Sequence, residues 1–274
     1  MTTLDVVAAP PTRRRLTANP SLLCLQLTLL FLEASAPAYA AALLVYAFER
    51  GGASAAGLLM VVTMAPAALV APFAAILVDR LPRRRVLMAA AVSRGMLLAG
   101  AAALMAAGPS APAMYCLAAA ASIVARIGFP ARAALLPDVA SSEAELTAAN
   151  SLGGVIESSA SVGGPALAGG LLALASPAFV VVSASLLAFA AAATAAGVRP
   201  RASADVSATL RGNQRAELLE GFRIVLTDPR IRPVVGILTL QLVAFGALAV
   251  ILVELAVRDF ALGGGGVGLL NGEV

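Results

Sequence analysis

The residues that could do chemistry are charges lodged in apolar surroundings. Glu33, Arg126 and Glu157 each sit inside a long run of Ala, Leu, Val and Gly. If the runs are helices, Arg126 and Glu157 lie roughly 14–15 Å from the nearest run end. A charge at that depth in hydrocarbon costs about 3 kcal/mol even on the gentler scale. These groups should therefore face a cavity or each other. Pairing of Arg126 with Glu33 or with Glu157 would offset most of the cost. Such a pair is either a static bridge that fixes packing or a coupling device that a proton or a ligand opens. A second cluster, Asp79-Arg80-Leu81-Pro82-Arg83-Arg84-Arg85, joins two apolar runs. Its arginines can snorkel to headgroups and anionic lipid. Alternatively Asp79 locks a gate between two helix bundles, paired with an arginine or a helix N-terminus. A third group is the small-residue stretch with Gly164, Pro165 and Gly169. Small side chains allow close helix approach in lipid. Pro165 also removes a backbone donor and can bend its helix.

Other chemistries lack their residues. The 274-residue chain has no histidine, and all 19 basic residues are arginine. Histidine-based acid–base work and histidine-ligated metal or haem sites are excluded. The two cysteines, Cys24 and Cys116, both lie in apolar runs and read as small hydrophobes. No metal site and no cofactor is expected. Gly263 to Gly266 reads as a flexible turn without the lysine of a phosphate-binding loop. Arg94 is eight residues from the end of its run and reads as a snorkelling, structural residue. Glu254 lies near a run end and reads as exposed. Gln26, Asn150 and Gln241 fit either interhelical hydrogen bonds or substrate contacts.

The elements that must position these groups are membrane helices. Hydrophobic residues make up 60% of the chain and charged residues 12%, and the mean hydropathy is +0.93. That balance excludes an ordinary soluble domain. A bilayer-crossing helix needs about 20 apolar residues. Six such runs occupy 21–47, 54–78, 86–107, 113–136, 148–174 and 177–198. A seventh covers 234–257, and an eighth begins near 266–270. Period-2 alternation is missing, so a β-barrel is not expected. The fold class is all-α, a polytopic transmembrane helix bundle. It divides into a segment 1–20, a six-helix bundle 21–198, a central loop 199–233 and the start of a second bundle 234–274. Within the loop, 214–226 has the spacing of an amphipathic helix.

The net charge of +4 is explained by orientation. Fifteen arginines, Arg132 among them, fall on one side of the spans, and only Arg50 and Arg258 fall on the other. The positive-inside bias places the N-terminus, the 79–85 and 137–147 loops and the 199–232 segment in the cytoplasm. A nucleic-acid partner loses its support. The triple arginine at 13–15 with a following apolar stretch also fits a cleaved export signal. The apolar run continues to Val45, which favours a span instead.

Asp79-Arg80-x-x-Arg83-Arg84 resembles the loop 2–3 signature of the major facilitator superfamily, with Ala75 and Pro82 standing at its two glycine positions. The spacing of six helices, a basic loop and a seventh helix resembles that family along the whole chain. The stretch Phe129 to Pro137, followed by Leu146 to Asn150, is similar to the exporter-like branch that includes macrolide and siderophore efflux proteins. Gly163-Gly164-Pro165-Ala166-Leu167-Ala168-Gly169-Gly170 resembles the end of the antiporter signature, with Ala168 at one glycine position. The resemblance implies a secondary transporter of the inner membrane, not an enzyme. It implies proton-coupled efflux of small, partly hydrophobic molecules by alternating access. It also implies that Glu33 and Arg126 line the central cavity. The expected partners are a small-molecule substrate, protons and the lipid bilayer. A missing C-terminal half or a second copy would supply the rest of a twelve-span architecture. The alternatives are a non-transporting fragment and, with less support, a membrane-embedded enzyme.

Overall fold

The structure is a computed structural model, and it describes residues 19–108, 111–200, 227, 229 and 231–254. The expected amphipathic helix at 214–226, the glycine turn at 263–266 and the N-terminal arginines at 13–15 lie outside the described residues. The described chain is helical throughout: α1 (Pro20–Arg80), α2 (Arg83–Ala107), α3 (Ala111–Val139), α4 (Glu143–Leu174), α5 (Pro177–Gly197) and α6 (Ile231–Glu254).

The first two expected spans form one element, α1, interrupted at a single residue. Gly52 has φ 64° and ψ −157°, a conformation outside the helix and open only to glycine at low cost. The interruption must be a hairpin. Leu22 and Val78 share one core cluster, yet a straight helix would hold them about 84 Å apart. The glycine pair after Glu49-Arg50 thus turns the chain back without leaving helical pairing on either side.

Three of the helix starts carry a capping signal. Asn19 caps α1, accepting from the Leu22 amide, with Pro20 in the first turn. Ser142 caps α4, accepting from the Glu145 amide at 3.2 Å, and Glu143 and Glu145 suit the positive helix end. Ser176 caps α5 ahead of Pro177.

The turns near Pro82 and Ser142, and the starts of α1 and α4, gather at one end of the bundle, here the basic end. Asn19 stitches it together. Its amide group donates to Val139 O (3.0 Å) and Glu145 Oε2 (3.1 Å), tying α1 to α3 and α4. The core there comprises Leu22, Leu25, Leu87, Leu135 and Val198. At the Gly52 end the core comprises Ala42 to Ala47, Leu59, Leu98, Ala118 and Val180.

Buried polar groups cross-link the helices. Gln26 donates to Ala149 O (2.8 Å), Ser185 to Gly95 O (2.8 Å), and Thr28 and Thr194 share a hydrogen bond of 2.9 Å. Gln26 is therefore a packing residue. The outer surface is apolar: Leu69, Phe73, Val162, Leu167 and Leu174 are all exposed. Among the described residues, four helical stretches are long and apolar enough to span a bilayer, Pro20–Ala71, Arg83–Ala107, Pro112–Val139 and Pro177–Gly197. The first contains both arms of α1. The fifth expected run, 148–174, is not among them. Glu157, with the serines and glycines around it, lowers the hydropathy of the middle of α4.

Candidate functional site

The α1 arms, α2 and α3 enclose a cavity of about 420 Å³. Its walls are mostly aliphatic, with Leu29, Leu43, Leu59 and Met60 among them. Exposed Met64, Phe129 and Arg126 form its rim. Four charged residues line it: Glu33 from α1, Arg94 from α2, and Arg126 and Arg132 from α3.

Rise per residue places these charges at comparable heights. Measured from the basic end, Glu33 and Arg126 lie about 20 Å along their helices, Arg94 about 16 Å and Arg132 about 10 Å. The cavity is therefore a mid-height polar centre in an apolar bundle.

Glu33 makes no ion pair or hydrogen bond among the described residues. The charged groups around it are Arg94 on α2, Arg132 on α3 and Glu157 on α4. Glu157 is bound to Arg132, Oε1 to Nη2 at 2.8 Å. This corrects two expectations. Glu157 does not pair with Arg126, which has no ion-pair partner among the described residues and is exposed at the rim. Arg132 does not belong to the basic surface: its side chain is 13% exposed and turned into the bundle. The reason lies in helix direction. Side chains lean toward the N-terminus of their helix. On antiparallel α3 and α4, Arg132 leans away from the basic end and Glu157 toward it, so the two converge. Arg126 leans further away.

Arg94 is also corrected. Its side chain is turned into the bundle rather than out to the basic end. It lines the cavity, and its Nε is buried without a hydrogen-bond partner. Tyr39 stands on the same wall, 8% exposed, its hydroxyl likewise unpartnered. Arg94, Arg132 and Tyr39 are the site residues that sequence reasoning missed. A readable signal existed for one of them. Ser122, Ala125, Phe129 and Arg132 recur at three- and four-residue spacing, one helical face that carries the Arg126 neighbourhood down to Arg132.

The arginine cluster at the basic end is separate from the cavity. Arg83 Nη1 binds Asp138 Oδ2 at 2.7 Å and Ala134 O at 3.2 Å. Arg84 donates to Ala196 O. Two of the four motif residues thus clamp the turn onto the ends of α3 and α5. The side chains of Asp79 and Arg80 lie outside the described residues.

The small residues of α4 form a crossing with α1. A Cβ on Gly164 would come within 2.8 Å of Pro37 Cβ and nearer still to its Cγ. Gly169 is buried, and α4 runs through Pro165 without leaving helical geometry. Among the described residues there is no cluster of His, Cys, Asp or Glu that could hold a metal ion.

The described residues thus form a helical bundle with an apolar exterior and a charged cavity. Residues 23–272 match the family model of the Major Facilitator Superfamily. The chain belongs to the major facilitator superfamily. It is accordingly a multi-pass membrane protein and a secondary transporter of small-molecule substrates, not an enzyme. No curated protein matches the sequence. In this superfamily two helix bundles move against each other around a mid-membrane site. The cavity lies at mid-height among the described helices.

Proposed function

We propose that this transporter exports small, partly hydrophobic molecules across the inner membrane, coupled to protons, by alternating access. The observation that carries the reading is Glu33: a carboxylate without an ion-pair partner among the described residues, in a largely aliphatic cavity, facing Arg94, Arg132 and Glu157. The aliphatic walls suit an apolar body. A proton taken up by the Glu33 carboxylate removes one negative charge from a cluster of three arginines and two carboxylates. That change alters the balance holding Arg132 to Glu157, and through it the contact of α3 with α4. A few kcal/mol of differential interaction is enough to exchange two bundle arrangements. We read α6 as the opening helix of the second bundle. Asp79, Arg80, Arg83 and Arg84 serve as the cytoplasmic gate, with Arg83 and Arg84 fixing the turn and Asp79 closing against the opposing bundle. Gly164, Pro165 and Gly169 let α4 shift against α1.

The test is transport in proteoliposomes with an imposed pH gradient. Glu33→Gln should abolish gradient-driven accumulation while substrate exchange without a gradient continues. Asp79→Asn should slow both. Accumulation by Glu33→Gln at the unmodified rate would end the coupling role of Glu33. An unaffected Asp79→Asn would end the gate assignment.

A further inference from the structure

We infer that the cavity selects amphiphiles with a single anionic head, a carboxylate or sulfonate, held by Arg94 and Arg126 with the Tyr39 hydroxyl. This rests on the cavity being the transport site.

The charge balance is the first argument. Arg132 is already neutralised by Glu157 at 2.8 Å. That leaves two guanidinium groups, Arg94 and Arg126, against one carboxylate, Glu33. None of the three makes an ion pair or hydrogen bond among the described residues. A carboxylate and an arginine line one cavity without meeting, which leaves a gap that a ligand can bridge.

Hydrogen-bonding capacity is the second argument. The other hydroxyls of the wall have already given their hydrogens to their own helices: Ser122 to Ala118 O (3.0 Å) and Thr63 to Leu59 O (2.9 Å). The unspent donors are the buried, unpartnered Nε atoms of Arg94 and Arg132, the buried Tyr39 hydroxyl, and the exposed Arg126 guanidinium, which makes no hydrogen bond among the described residues. Guanidinium groups donate and never accept. The vacant need is therefore for an acceptor, and a negative one is bound most strongly by such a set. The aliphatic walls take the rest of the molecule. A cation would meet only Glu33, and would bring two arginines into repulsion.

A matched probe pair tests this: 8-anilinonaphthalene-1-sulfonate and the uncharged N-phenyl-1-naphthylamine, which lacks only the sulfonate. Binding is read by fluorescence to the protein in nanodiscs of neutral lipid, with empty discs subtracted. Arg94→Gln should weaken the sulfonate at least tenfold and leave the neutral probe within twofold. Arg126→Gln and Tyr39→Phe should weaken the sulfonate severalfold, and Glu33→Gln should tighten it. Should Arg94→Gln fail to give monodisperse protein, Arg126→Gln and Tyr39→Phe decide by the same criterion. Equal weakening of both probes, or a sulfonate bound no more weakly by the arginine variants, overturns the inference while leaving the transport site standing. No binding of either probe above empty discs overturns the transport site as well.

Discussion

The two partners of the interior ion pair are unequally protected. Arg132 is 13% exposed and Glu157 43%. Removing Glu157 strands a buried guanidinium whose Nε is already unpartnered. Removing Arg132 leaves a carboxylate that is half-exposed. Glu157→Ala should therefore cost close to the ~3–5 kcal/mol of a broken buried pair. Arg132→Ala should cost less, nearer the ~3 kcal/mol of a lone charge in the membrane interior. Arg126→Ala, at the rim and unpaired, should be almost neutral. Thermal unfolding in detergent, read as loss of monodisperse protein, gives the order. Equal losses for Glu157→Ala and Arg132→Ala would mean that burial does not set the energetics of this pair. The sequence shows that Glu157 should face a cavity or an opposite charge, because a lone charge at that depth is costly. It does not show which arginine. Arg126 and Arg132 are six residues apart on α3, and the choice depends on the rotation and direction of α3 against α4. Those are properties of the packed bundle.

At the scale of the element, the long apolar runs announce the helices, and the glycines at 51 and 52 announce the first turn. The stitching of the basic end by Asn19, and of α2 to α3 by Arg83 and Asp138, joins residues far apart in sequence and leaves no periodic trace. The glycines of α4 show the same limit, since they are alike in sequence and unlike in place. A Cβ at Gly163 would meet nothing within 4 Å, whereas one at Gly164 would collide with Pro37. Alanine is the better helix former by up to ~1 kcal/mol. Gly163→Ala should therefore be neutral or stabilising. Gly164→Ala should destabilise by about 1–3 kcal/mol, because the proline ring cannot move aside without shifting α1. The same melting measurement compares them. Equal behaviour of the two variants would rule out a close α1–α4 crossing at Gly164.

For the whole molecule, orientation follows from charge and surface together. The exposed shell of leucine, valine and phenylalanine fixes the bundle in the bilayer but not its direction. Direction rests on arginine. Arg83, Arg84 and Arg85 cluster at the turn beside Pro82, while Arg50, its guanidinium 4.3 Å from the Tyr46 ring centroid, lies near the Gly52 end. Each arginine translocated to the outer face opposes the positive-inside bias, so the basic end should lie in the cytoplasm. Single cysteines at Leu81 and at Ala175, placed in a background with Cys24 and Cys116 replaced by alanine, report the two ends. A membrane-impermeant maleimide should label Ala175→Cys in intact cells and Leu81→Cys only after permeabilisation. The reverse pattern would invert the bundle. It would put the clamp formed by Arg83, Arg84 and Asp138 on the outer face, and the gate assigned to Asp79 would then control release of substrate rather than its entry from the cytoplasm.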